Sequence, residues 1–152
     1  MVVSKLKKES IIPRIDGIAK DIEKLKRIAA MGVDELKKDE DLFALSQFYL
    51  RQALEGVFHI GEHILSRMNG GRATEYKEIA KLLGERGIVE RKFADTRLKA
   101  MAGYRNRLTH FYADIKPEEI YAILNNNLGD FGTFLTAVKD VLEHPEKFGL
   151  EL

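Results

Sequence analysis

Residues 104–112 read Tyr104-Arg105-Asn106-Arg107-Leu108-Thr109-His110-Phe111-Tyr112. They pack cations, a carboxamide, an imidazole and a phenol into a little over two helical turns. An imidazole can take or give a proton near neutral pH. A guanidinium offers a planar fork to phosphate oxygens, and beside a phosphodiester it would stabilise charge growing on the equatorial oxygens. Attack of an RNA 2′-hydroxyl on its own phosphate needs only a proton acceptor, a proton donor and a cation, and it leaves a 2′,3′-cyclic phosphate. The run contains the groups for that reaction.

Spacing on a helix sets which of them meet. At about 100° per residue, Asn106 and His110 lie on neighbouring positions of one face, and Arg105 and Tyr112 are about 20° from alignment. Arg105 and His110 are about 140° apart on an ideal helix, so they converge only if the arginine curls round or the last turn deforms. Arg107, three residues before His110, is a rival cation. By spacing alone His110 also fits a capping or surface residue, and Tyr112 a half-buried packing residue. Phe111 and Tyr112 are candidates to stack unpaired RNA bases, but Phe111 reads rather as core. His59 and His63 are four apart on one helical face, but no third ligand lies nearby, so they read as core or surface histidines and no metal site is expected. Glu62 is a candidate to orient His110, although nothing in the spacing requires it.

The elements that must hold this run are read from the rest of the chain. Its 152 residues fit one domain over 1–152, and a hydrophobic content of 45% supports a core. A charged content of 32% suits helices with one wet face. A formal net charge of +1 does not advertise a nucleic-acid binder, but a basic cleft can be balanced elsewhere on the surface. There is no cysteine, which excludes disulfides and thiolate metal sites. Met1 to Lys8 lacks the apolar core of a signal peptide, and no apolar run approaches the roughly 18 residues of a membrane span. The expectation is a soluble cytoplasmic protein with no membrane partner and no cofactor.

Apolar residues recur at three-to-four spacing almost throughout, which predicts an all-α fold. The first helix is expected to open at Ser10 as N-cap, with Pro13 in its first turn, and to end at Gly32. Ile15, Ile18, Ile22, Leu25 and Ile28 form its buried stripe. A second, long helix runs from Asp39 or Asp41 to about Met68, with Gly56 and Gly61 as close-packing points. Asn69-Gly70-Gly71 stops it. Thr74 is expected to cap a short helix over about Glu75 to Leu83, and Gly84 to Gly87 to turn. A further helix runs from about Glu90 toward Tyr112, with Phe93, Leu98, Met101 and Leu108 facing inward. Asp114-Ile115-Lys116-Pro117 breaks the chain, and Pro117 opens one last long helix. Its inner stripe is Ile120, Ile123, Leu124, Leu128, Phe131, Leu135, Val138 and Leu142. Asn125-Asn126-Asn127 is a polar band within it, either solvated or lining a cleft between subunits. The sum is an antiparallel four-helix-type bundle with one additional short helix.

At Arg105-x4-His110-x-Tyr112, with Asn106 after the arginine, the chain resembles the HEPN superfamily and its HepT-like toxin branch. Phe48-Tyr49-Leu50-Arg51-Gln52-Ala53-Leu54-Glu55 and Ile60-Gly61-Glu62-His63-Ile64-Leu65 resemble the branch's second helix. Tyr76-Lys77-Glu78, Leu83 and Gly87-Ile88-Val89 resemble its middle segment, Met101-Ala102-Gly103-Tyr104 leads into the motif, and Ile120-Tyr121-Ala122-Ile123-Leu124 follows it. The resemblance spans roughly residues 11 to 142. It implies a helical homodimer whose two motifs face a shared cleft, and a metal-independent endoribonuclease toxin of a type II or type VII toxin–antitoxin pair, with tRNA among the substrates. It also implies an MntA-like nucleotidyltransferase antitoxin that adds AMP to Tyr112. On the same ground Arg105 is the phosphate-stabilising cation, His110 the acid/base, and Asn106 a positioning residue; Tyr112 is the modification target and a substrate contact. Arg107 is a departure that adds a second cation, and the Arg105 serving a given His110 can come from either subunit. The alternative is a non-catalytic substrate-binding or adaptor subunit of a nucleotidyltransferase.

Overall fold

A computed structural model gives the fold and describes residues 5–70 and 73–152. The reading of Met1 to Ser4 as part of a leaderless start, and of Gly71 as part of a helix stop, lies outside the described residues. Among these the secondary structure is entirely helical: α1 (Lys8–Ala30), α2 (Val33–Lys38), α3 (Glu40–Ser66), α4 (Tyr76–Glu85), α5 (Arg91–Phe93), α6 (Lys99–His110), α7 (Pro117–Asn126) and α8 (Gly129–Glu143). A π-helical turn, Ala94–Leu98, joins α5 to α6, and short 3-10 turns occupy Tyr112–Asp114 and Pro145–Phe148. None of the described helices is long and apolar enough to cross a membrane.

The long α3 is the axis on which the rest is placed. Asp39 starts it by accepting a hydrogen bond from the Leu42 backbone N–H at 3.0 Å, which satisfies one of the free N–H groups of the first turn. α1 packs along it in the opposite direction. The pairs Lys7 with His63, Ile18 with Gly56, Asp21 with Gln52 and Lys24 with Tyr49 ascend one helix as they descend the other. Gly56 permits this approach, because a Cβ there would lie 2.9 Å from Cγ1 of Ile18. Gln52 Nε2 donates to the buried Asp21 carboxylate at 3.0 Å, and burial raises the Asp21 pKa above its ordinary value.

Several boundaries differ from the sequence reading, and Gly84, expected in a turn, lies within α4. α1 opens at Lys8 with Lys7 as N-cap, so Ser10 lies inside its first turn and Pro13 in the second. α2, not anticipated, is a six-residue helix that anchors through buried Leu36. It is too short to show a periodic stripe. Thr74 does not cap α4; the helix begins at Tyr76 and its N-cap is Glu75, which makes no side-chain cap bond.

α4 crosses α3 at Gly61, where a Cβ would meet Leu83 Cδ1 at 2.8 Å. Both sequence-assigned close-packing glycines on α3 therefore hold that role. At its other end α4 presses on the π-helical turn, where a Gly84 Cβ would lie 2.6 Å from Ala94 Cβ. Such turns insert an extra residue into a helix and shift its face. Here the shift comes one turn before the helix that carries the motif.

The expected last helix is two. α7 ends at Asn126, with Asn127 as its C-cap, and α8 restarts at Gly129. The asparagine run therefore terminates a helix instead of banding one. The break also turns the inner face, so that Phe134 and Val141 are fully buried while Leu135 and Leu142 are only partly so. Pro117 stands at the start of α7 as expected.

Candidate functional site

α6 delivers the motif. Met101, Ala102 and Leu108 bury one side of it, and the polar residues between them leave on the others. Arg105, Asn106 and His110 line one cleft of about 600 Å³ together with Phe111 and, from the start of α4, Thr74, Glu75, Tyr76 and Lys77. One chain thus brings Arg105 and His110 to the same cleft, although an ideal helix would set them about 140° apart. α6 ends at His110, and Phe111 leaves helical geometry at φ −133°, ψ 32°.

Arg105 is held from two sides. Its guanidinium carbon lies 4.3 Å from the centre of the Tyr76 ring, and its Nε lies 3.7 Å from Oε1 of Glu55 on α3. The side chain is 23% exposed, while Nε itself is buried without a hydrogen-bond partner among the described residues. That ion pair through Nε is the only one Arg105 makes among them. Tyr76 in turn stacks on Phe58 of α3, with ring centres 4.6 Å apart and planes at 20°. Burial raises the Tyr76 phenol above its usual pKa, against the opposing pull of the Arg105 cation, so the ring under the guanidinium stays a neutral phenol.

Arg107 points elsewhere. It donates a hydrogen bond to Glu119 on α7 within an ion pair, and that carboxylate raises the pKa of its guanidinium. It does not line the cleft. Tyr112 is 64% exposed in the 3-10 turn beyond α6 and is likewise not among the lining residues. Phe111, expected in the core, is 59% exposed at the cleft. The helix stops one residue before it, so the helical spacing that assigned it inward no longer applies.

His59 and His63 line a separate groove with Ser10, Arg14, Glu62 and Ser66. His63 Nε2 accepts the Lys7 backbone N–H at 3.1 Å, and burial lowers the pKa of His63. Glu62 lies in this groove and not among the residues lining the Arg105 cleft. Among the described residues no three His, Asp or Glu side chains gather as metal ligands.

The residues that sequence reasoning missed are Glu55 and Tyr76. Both lie inside segments that carry the family resemblance, yet they stand 50 and 29 residues before Arg105 (105 − 55 and 105 − 76). No local spacing could link them to it.

The arrangement defines a class: a small helical protein whose one cleft joins a stacked, carboxylate-backed arginine to a carboxamide and an imidazole. The family model for ribonuclease HepT-like proteins matches residues 18–138, and the chain belongs to that family. It is 22% identical over 129 residues to the tRNA nuclease HepT of Aphanizomenon flos-aquae, covering 85% of this chain and 87% of that relative. It is also similar to a chain of the tri-AMPylated Shewanella oneidensis HEPN toxin in complex with MNT antitoxin. There the TM-score is 0.77 at 24% identity, over 85% of this chain and 96% of the other. A toxin–antitoxin complex with AMP-PNP gives 0.75 at 24% identity, over 85% and 95%. At that identity the structural likenesses establish the fold.

Proposed function

We propose that this protein is a metal-independent endoribonuclease toxin of a toxin–antitoxin pair, type II or type VII, which cuts tRNA at the Arg105/His110 cleft. The observation that carries this is the convergence of Arg105, Asn106 and His110 on one cleft within a ribonuclease HepT-like chain. The tRNA substrate rests on the name of the curated relative.

In this reading the 2′-oxygen attacks the adjacent phosphorus and the bond to the 5′-oxygen breaks. The 2′-hydroxyl proton leaves to a base, the departing 5′-oxygen takes a proton, and the ends are a 2′,3′-cyclic phosphate and a 5′-hydroxyl. His110 serves as the acid/base, and Arg105 offsets the charge that grows on the phosphate oxygens in the transition state. Asn106, beside both in the cleft, orients the phosphate. Arg107 stands outside the chemistry because Glu119 already occupies it.

The same reading includes silencing by a partner. An MntA-like nucleotidyltransferase would join the Tyr112 phenol oxygen to the α-phosphorus of ATP and release pyrophosphate. Tyr112 is exposed enough to reach a partner's active site, and it lies two residues from His110. The bulky, anionic AMP would compete with RNA phosphate near Arg105. The same reading takes residues 1–152 as one domain, an antiparallel four-helix bundle that pairs as a homodimer with its clefts facing, and places it in the cytoplasm with its RNA.

The test is cleavage of end-labelled tRNA in EDTA by unmodified protein beside His110→Ala. Cutting by the wild type alone, with a cyclic-phosphate end, is the expected result. No cutting by either protein would overturn the reading, and AMP transfer to Tyr112 without any cleavage would make the chain an adaptor for its partner.

A further inference from the structure

We propose that Phe111 is the platform on which an unpaired RNA base stacks beside the scissile phosphate. The inference rests on the ribonuclease reading above and adds to it the residue that holds a base next to the cut.

Tyr104 packs against the core; of the three other aromatic side chains around the motif, two are unsuited to a base. The Tyr76 ring is covered by the Arg105 guanidinium at 4.3 Å and is stacked on Phe58 at 4.6 Å. Tyr112 is exposed but does not line the cleft. Phe111 lines the cleft beside Arg105, Asn106 and His110, and more than half of it is exposed. Its neighbour His110 meets it at 73° with ring centres 6.4 Å apart, so the two rings are not stacked. Among the described residues no cation sits over it.

The backbone that carries the ring is also fixed. The Phe111 backbone N–H donates to Arg107 O at 2.8 Å, and its carbonyl accepts the Asp114 N–H at 3.0 Å. Fixing the backbone in advance leaves less freedom to lose on binding. An exposed aromatic beside a phosphate-binding cation is the pairing by which proteins hold single strands. It tolerates any base, because every base has a π-face. A base within a duplex is stacked on its neighbours and cannot reach such a ring.

The chain has no tryptophan, so Phe111→Trp places a single fluorophore on the proposed platform. The probes are 2′-O-methyl hexanucleotides of uridine and of adenosine, which lack the attacking hydroxyl, the same hexamers with abasic positions, and a 2′-O-methyl hairpin with a fully paired stem. Binding is read by anisotropy of the labelled oligonucleotide, and stacking by tryptophan quenching. The expected result is quenching by both single strands, little by the abasic strands or the stem, and affinity roughly tenfold or more weaker in Phe111→Ala. Phe111→Tyr should restore that affinity. Binding without quenching, or Phe111→Ala binding as wild type, overturns the platform while leaving the ribonuclease reading standing. A tryptophan already blue-shifted in the free protein and indifferent to RNA would mean that a second copy covers Phe111, and would overturn it too. If no variant binds any RNA, the ribonuclease reading itself fails.

Discussion

Two arginines two residues apart on α6 have opposite fates. Arg105 and Arg107 sit about 200° apart round the helix, and each meets a glutamate from another helix. Glu119 accepts a hydrogen bond from Arg107 in an ion pair at the surface, where the arginine is 42% exposed. Glu55 meets Arg105 only at Nε, at 3.7 Å, and Tyr76 supports the guanidinium from one face. One arginine has a firm structural partner and ties α6 to α7. The other is steadied from behind at a cleft. A close carboxylate pairing removes a cation from service, and a looser one behind a stacked guanidinium keeps it available.

The magnitudes separate the two. Losing a preorganised group that stabilises transition-state charge costs about 10²–10³-fold in rate, whereas a partly exposed ion pair contributes under about 1 kcal/mol. Arg105→Ala should therefore lower tRNA cleavage by about a hundredfold or more in single-turnover assays, with its melting temperature close to wild type. A melting temperature that falls in step with activity would make Arg105 structural and break the contrast.

Glu55→Gln should have the next largest effect, roughly a tenfold fall in cleavage rate, since an orienting charge is weaker than the group it orients. The sharper measurement is the double-mutant cycle. Added to Arg105→Ala, Glu55→Gln should cost nothing further, because its only role is to hold Arg105. Additive losses would give Glu55 chemistry of its own.

The motif, its helix and the long α3 were legible in the sequence because each rests on local signals. The Asp39 cap, the Gly56 and Gly61 packing points and the Pro117 start are readable from a few neighbouring residues. What was hidden depends on distant pieces or on where a helix stops. Glu55 and Tyr76 reach Arg105 only through tertiary packing of α3 and α4. α2 has a single buried anchor, Leu36. The division between α7 and α8 falls in an asparagine run that a continuous apolar stripe bridges in the sequence, and the end of α6 at His110, two residues short of the expected Tyr112, moved Phe111 from the expected core to the surface.

Arg107→Ala should leave cleavage within about twofold of wild type and lower the melting temperature by about 2 °C, as loss of under about 1 kcal/mol implies for a chain of this size. Thermal melting by circular dichroism and the tRNA assay on one preparation check both halves. A similarly small change is expected from Tyr76→Phe. It keeps the aromatic face under Arg105 and removes only a hydroxyl, so cleavage should stay within about threefold of wild type, as expected when a cation–π contact is kept. Tyr76→Leu, which removes the face, should lower it several-fold further.

The most direct measurement of the central claim sets Arg105→Ala and Arg107→Ala side by side, each scored for tRNA cleavage in EDTA and for melting temperature. Arg105→Ala without cleavage but with wild-type stability, and Arg107→Ala with cleavage but reduced stability, is the expected result. Cleavage lost with Arg107 and kept without Arg105 would contradict the account.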